Sequence, residues 1–84
     1  MKGETKMDNL TMSKKELLVL ISNALHNAGT FYSQGRVKHF LTYYGRAFAL
    51  IDLYECQFNS IEEDDEDINF IFEHLSTIYD GIRI

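Results

Sequence analysis

The chain has 84 residues, 45% of them apolar and 25% charged, with six Phe, five Tyr, one Cys, no Pro and a net charge of −5. This length allows one small domain, and the composition excludes both a disordered chain and a scaffold held by internal disulfides. The charged N-terminal sequence lacks the apolar stretch of a secretory signal, and no apolar run is longer than that of residues 17–21, which is far below the roughly 20 residues that span a bilayer. We therefore expect a cytoplasmic protein that does not enter a membrane, with either Met1 or Met12 as its native start.

Residues 1–11 are polar and aperiodic, which predicts a flexible tail, and residues 12–84 then form a single helical domain. The first helix is predicted over residues 14–28. Ser13 and Glu16 have the spacing of a capping box, and Gly29 is the expected helix end. One face of this helix is apolar at helical spacing and consists of Leu17, Leu18, Leu20, Ile21, Ala24, Leu25 and Ala28.

Two further helices follow, over residues 34–58 and 64–80. The apolar stripe of the second is wide enough to contact two neighbours, as expected for a central helix. The third follows a second capping-box match at Ser60 and Glu63, with Asp64 or Asp65 as alternative caps. The predicted fold class is therefore all-α, a small three-helix bundle with a long central helix.

The charge is divided between the two halves of the sequence. Residues 1–51 carry seven basic and three acidic side chains, a net of +4, whereas residues 52–84 carry ten acidic side chains and one basic one, a net of −9. Between Glu16 and Asp52 there is no acidic residue. We expect the halves to neutralise each other when folded; the alternative is that one of them contacts a charged partner.

Six consecutive carboxylates form the most conspicuous motif: Glu62, Glu63, Asp64, Asp65, Glu66 and Asp67. In the simplest interpretation they are a solvated helix start, since anions are stabilised at a helix N-terminus. A calcium-binding loop starting at Asp65 fails, because it needs glycine where Phe70 stands. The functional alternative is docking onto a basic surface of a protein partner.

The segment 31–46 interleaves aromatic and basic side chains without an acid. A core stripe with a polar outer face explains most of it, but Tyr and Arg are also favoured interface anchors. Candidate partner-binding residues here are Tyr32, Tyr43, Tyr44 and Arg46. The same segment supports an alternative function, nucleic-acid binding, through Arg36, Lys38, His39 and Arg46.

The sequence contains no strong pattern of catalytic or metal-binding residues. His26, His39 and His74 lie on three different predicted helices, without a spacing that would hold a metal, and Cys56 is expected to be a buried or semi-buried structural thiol. We therefore expect no enzymatic activity, no metal and no cofactor.

The function predicted is that of a non-enzymatic protein-binding regulator or inhibitor, which occludes a partner through a helical surface with an acidic cluster. Small chains of this kind are typical of phage and mobile-element genomes. Besides nucleic-acid binding, the second alternative is a structural homo-oligomer, since a symmetric homodimer would bury the surplus apolar surface.

Overall fold

The computed structural model describes residues 13–82, which form four helices. These are α1 (Lys14–Ser33), α2 (Val37–Gln57), the single turn α3 (Ile61–Asp64) and α4 (Glu66–Gly81). No strand occurs within residues 13–82, so the all-α prediction is confirmed. The predicted tail, residues 1–11, lies outside the described residues.

Helix α1 begins at the predicted residue and ends at Ser33, five residues after the predicted end at residue 28. The Ser13 hydroxyl accepts a hydrogen bond from the Glu16 N–H, and the Glu16 carboxylate accepts one from the Ser13 N–H, both at 3.1 Å. The capping box is thus confirmed. The predicted end at Gly29 is wrong, because the apolar repeat continues to Phe31, which packs against the core and carries the helix past the glycine.

Gly35, rather than Gly29, ends this helix. Its φ of 78° is the left-handed conformation that glycine adopts without steric cost. The Arg36 N–H donates to the Phe31 carbonyl at 2.8 Å, and the Gly35 N–H donates to the Tyr32 carbonyl at 2.9 Å. This pair of bonds is a Schellman motif, which turns the chain back along α1.

Helix α2 runs antiparallel to α1 and is shorter than predicted. It begins at Val37 instead of residue 34, because the Schellman turn uses residues 34–36, and it continues without a break through Gly45. Its 21 residues make it about as long as the 20-residue α1. The long central helix is therefore only one residue longer than its neighbour.

The predicted third helix, 64–80, is divided in two. Ser60 caps α3 through a hydrogen bond from the Glu62 N–H, so the expected box between Ser60 and Glu63 is wrong. Asp65 then leaves the helical conformation, with φ −151° and ψ 94°, and becomes the N-cap of α4. The alternative cap at Asp65 is thus confirmed.

The core lies between the α1–α2 hairpin and α4, and the three-helix bundle is confirmed. Helix α1 packs along the length of α2, and α4 packs on α1 through Ile68 and Leu75. On the α2 side, α4 is held mainly by aromatic rings: Tyr44 stacks on Phe72 and on Tyr79, with ring centroids 5.5 and 4.8 Å apart. The buried residues are Leu17, Ile21, Ala24, Leu25, Ala28, Phe40, Tyr44, Ala47, Ile51, Tyr54, Ile61, Ile68 and Leu75.

Candidate binding surfaces

The acidic run forms the junction between α2, α3 and α4, and two of its carboxylates are used inside the fold. Asp64 accepts a hydrogen bond from the buried Tyr54 hydroxyl and forms an ion pair with Lys14 at 3.2 Å. Asp65 accepts a hydrogen bond from the Ile68 N–H at 3.0 Å. The predicted partner-binding role does not fit these two residues, because their oxygens already stabilise the bundle.

Glu55 belongs to this junction although the sequence analysis did not select it. Its carboxylate accepts a hydrogen bond from the Ile61 N–H at 3.0 Å, across the turn that joins α2 to α3. The Asn59 amide also donates to Asp64, at 3.4 Å. These contacts join residues five and six apart around an irregular turn, and no helical or strand repeat indicates them.

The hydrogen bond between Tyr54 and Asp64 shifts the two pKa values in opposite directions. Burial, and after it the neighbouring carboxylate, raises the pKa of the Tyr54 hydroxyl well above its ordinary value of 10.0. The hydrogen bond from Tyr54 lowers the pKa of Asp64 below its ordinary value of 3.8; partial burial opposes this shift and Lys14 adds to it. At neutral pH the tyrosine is therefore the donor and the ionised aspartate the acceptor.

The other four carboxylates, those of Glu62, Glu63, Glu66 and Asp67, are exposed. Among residues 13–82, none of them has a Lys, Arg or His nitrogen within 4.0 Å, and the pair between Lys14 and Asp64 is the single ion pair. The expected neutralisation between the two halves of the chain is thus limited to that pair in the described part. Within residues 13–82, these four negative charges are thus unpaired.

An open groove between α1 and α4 reaches this acidic end, and we call it the acidic groove. It has a volume of about 380 Å³. Its apolar lining consists of Leu18, Val19, Ile68 and Ile71, and its polar lining of Lys15, Ser22, Asn23, Asp65 and Asp67. Val19 is 50% exposed and Ile71 43% exposed, so the groove presents apolar side chains to solvent beside carboxylates.

The segment 31–46 forms a second surface at the other end of the hairpin. The Phe31 ring lies 4.9 Å from the His39 ring and 5.3 Å from the Tyr43 ring, measured between centroids. The Arg36 guanidinium lies 6.0 Å from the centre of Phe31, and that of Arg46 lies 4.9 Å from the centre of Tyr43. We call these five residues the cation–aromatic face.

The remaining predicted anchors have different environments. Tyr32 is exposed and its ring lies 5.4 Å from that of Phe40, and Lys38 is exposed near the start of α2. Tyr44 is a core residue, only 7% exposed, so it is poorly placed to anchor a partner. Its position in the apolar stripe of α2 already indicates this burial.

The acidic end and the cation–aromatic face are not one surface. Tyr54, which holds Asp64, lies eleven residues after Tyr43 on α2, which corresponds to about 16 Å along the helix. The predicted combination, in which the carboxylates steer one partner and Tyr43 with Arg46 anchors it, therefore needs a partner that covers both ends. The two surfaces have to be considered separately.

Two histidines that are far apart in the sequence line the same groove. His26 of α1 and His74 of α4 lie on the same open groove as the hydroxyl residues Ser22, Thr30 and Ser33. Their proximity depends on how α1 and α4 pack, which no local spacing shows. Within residues 13–82, no three His, Cys, Asp or Glu side chains are grouped so as to hold a metal ion.

Two further outcomes concern α2. Cys56 is exposed, so the expectation of a buried thiol is wrong; it lies on the side of α2 that faces away from the core. Phe48 is 58% exposed at a groove between α2 and α4, with its ring centroid 6.2 Å from that of Phe72.

None of the helices within residues 13–82 combines the length and apolarity that crossing a membrane requires. The chain matches no protein-family model, no curated protein and no solved structure.

Proposed function

We propose that this protein is a non-enzymatic binding protein, which regulates a protein partner by occluding a basic, partly apolar segment of it. The observation that carries this proposal is the acidic groove, where exposed Val19 and Ile71 lie beside the carboxylate of Asp67. We further propose a cytoplasmic location, where an exposed thiol such as Cys56 stays reduced.

An amphipathic helix is the type of segment that this groove fits. Helix-in-groove recognition places apolar side chains of the guest on an apolar floor, and charges at the rim fix its position. Four exposed carboxylates, none of which has a cationic nitrogen of residues 13–82 within 4.0 Å, would attract Lys and Arg of the guest and accelerate encounter. A partner segment held in this way is no longer accessible to its other ligands, which is inhibition by occlusion.

The test begins with capture of the partner from native lysate on the immobilised protein, with and without nuclease treatment. The test variant combines Glu66→Gln and Asp67→Asn. Glu73→Gln is a control that removes an exposed carboxylate of the same helix outside the groove lining. Neither substitution touches Asp64 or Asp65, so the junction stays intact.

The recovered protein is then purified and its association rate is measured at several salt concentrations. We expect the test variant to associate roughly tenfold more slowly at low salt and to show a flatter salt dependence, and the control to behave as the wild type. Equal kinetics of the test variant and the wild type would refute the proposal. So would the absence of any protein partner that survives the nuclease treatment.

The alternative of a structural homo-oligomer predicts a concentration-dependent dimer without any other partner, which sedimentation equilibrium detects. The origin in a phage or mobile element stays a prediction based on chain length.

A further inference from the structure

We propose that the cation–aromatic face binds single-stranded nucleic acid, through phosphate contacts to Arg36 and Arg46 and base contacts to the exposed His39 ring and the part-exposed Phe31 and Tyr43 rings. This activity is separate from the proposed protein binding, since it uses the opposite end of the hairpin. The two surfaces can therefore be inactivated independently.

The arginines of this face are positioned by rings and not by carboxylates. Arg36 lies over Phe31 and Arg46 over Tyr43, and no carboxylate within residues 13–82 forms an ion pair with either of them. A guanidinium that lies against a ring loses rotational freedom and keeps its N–H donors free. The closer contact, at 4.9 Å, orients the Arg46 guanidinium; Arg36, at 6.0 Å, lies at the outer limit of this interaction.

The dimensions of the face suit several phosphates. Arg36 and Arg46 are ten residues apart, which is about 15 Å along α2, and the exposed His39 lies between them. The phosphates of one strand follow each other at about 3.4 Å along the axis of a duplex and at wider intervals in an extended single strand, so this length covers a few nucleotides. A short row of cations with rings is the pattern that single-stranded nucleic acid requires.

The surroundings of the face favour a long polyanion over an acidic patch on a folded protein. No acidic residue occurs between Glu16 and Asp52, so neither the second half of α1 nor the first half of α2 carries a carboxylate that would repel a phosphate chain. On α4, Asp80 lines an open groove with Leu41 and Phe48 of α2. A strand that leaves the face along the second half of α1 meets no carboxylate of that helix.

Binding is measured by fluorescence anisotropy with labelled oligothymidylate and oligouridylate of about 12 nucleotides, at about 50 and 200 mM salt. The test variant is Arg46→Gln, and the matched control is Lys15→Gln, which removes an exposed cation at the other end of α1. We expect Arg46→Gln to weaken binding roughly five- to tenfold at the lower salt and to reduce the salt slope by about 0.7. Lys15→Gln should stay within about twofold of the wild type, because it lies outside the face.

Three results would overturn the proposal. The first is no anisotropy change with either oligonucleotide at the lower salt, and the second is an equal loss of affinity in both variants, which indicates diffuse charge attraction. The third is competition by a polyglutamate peptide as strong as by unlabelled oligothymidylate, which identifies an acidic protein as the ligand. Circular dichroism verifies the helical content of each variant. The variant with Glu66→Gln and Asp67→Asn should bind the oligonucleotides as the wild type does, whether or not its binding to the protein partner changes. The two proposals can therefore fail separately.

Discussion

The two ends of the α1–α2 hairpin carry opposite charges, and the charged side chains at each end have different kinds of contact. At the acidic end, Asp64 is tied to the Tyr54 hydroxyl and to Lys14, and Asp65 closes the first turn of α4. At the basic end, Arg36 and Arg46 lie on rings and form no ion pair with any residue from 13 to 82.

This difference separates charges that stabilise the fold from charges that have no ion-pair partner within residues 13–82. A carboxylate that satisfies a buried hydroxyl or a helix N-terminus is part of the structure, and its removal leaves a polar group unsatisfied. A guanidinium at the solvent side of a half-buried ring contributes little to stability, and the ring does not use its N–H donors. Within the acidic run itself, both kinds occur next to each other.

The largest effect should follow from breaking the acidic junction at Tyr54. Tyr54→Ala removes a fully buried ring, and we expect the free energy of unfolding to fall by about 3–5 kcal/mol. Tyr43→Ala at the basic end removes a half-buried ring and should cost roughly half as much or less. Urea unfolding followed by circular dichroism measures both.

Tyr54→Ala can leave too little folded protein to measure, because a chain of this size has only about 5–10 kcal/mol of stability. Tyr54→Phe, which keeps the ring and removes the hydroxyl, should cost about 1 kcal/mol. If Tyr43→Ala proved as destabilising as Tyr54→Ala, the contrast between a structural and an available end would be wrong.

The pH dependence of stability separates the two partners of the junction. The folded pKa of Asp64 is lowered, so its contribution is present above its unfolded pKa and is lost as the pH falls below about 4. The folded pKa of Tyr54 is raised, so its contribution is present below 10.0 and is lost at higher pH. Stability should therefore decline at both extremes.

Asp64→Asn should weaken the acid-side decline, and Tyr54→Phe the alkaline-side decline, in urea unfolding midpoints measured from pH 2 to 11. Glu62→Gln is the control, since its exposed carboxylate makes no side-chain contact to Tyr54. An acid-side decline that Glu62→Gln reduces as much as Asp64→Asn does would assign the effect to general repulsion among the carboxylates.

Local sequence patterns predict the helices well, because caps and apolar repeats act over three or four residues. The box at Ser13 is found as predicted, and so is the apolar face of α1 except for Leu20, which is exposed. The predictions are wrong where tertiary contacts determine the structure. Phe31 packs on the core, so α1 continues beyond Gly29, and Asp64 accepts a hydrogen bond from the Tyr54 hydroxyl at the junction.

The sequence indicates which residues belong to the basic aromatic segment, but it does not indicate the groove that forms between two helices. Residues 31–46 do form a basic aromatic surface, since most of them lie close together in sequence. The acidic groove is formed by α1 together with α4. Nothing in the sequence distinguishes its apolar residues Val19 and Ile71 from other apolar residues of an amphipathic helix. Only the packing of the helices shows which apolar residues stay exposed.

The smallest effects should come from two glycines that test the turn at the basic end. An added Cβ would meet no atom within 4 Å at either Gly35 or Gly45, so steric clashes with neighbours play no part. Gly35→Ala should lower stability by about 1 kcal/mol, because its φ of 78° disfavours L-residues. Gly45→Ala should raise stability by about 0.5–1 kcal/mol, because Gly45 lies inside α2.

Opposite signs for the two substitutions, measured by urea unfolding, would show that the Schellman turn at Gly35 holds the basic end in place. That turn also sets Arg36 over Phe31, so Gly35→Ala should weaken oligonucleotide binding as well, and Gly45→Ala should leave it unchanged. If Gly35→Ala stabilised the protein as Gly45→Ala does, the chain would not need the left-handed turn. The position of Arg36 on the ring would then depend on the guanidinium–ring contact alone.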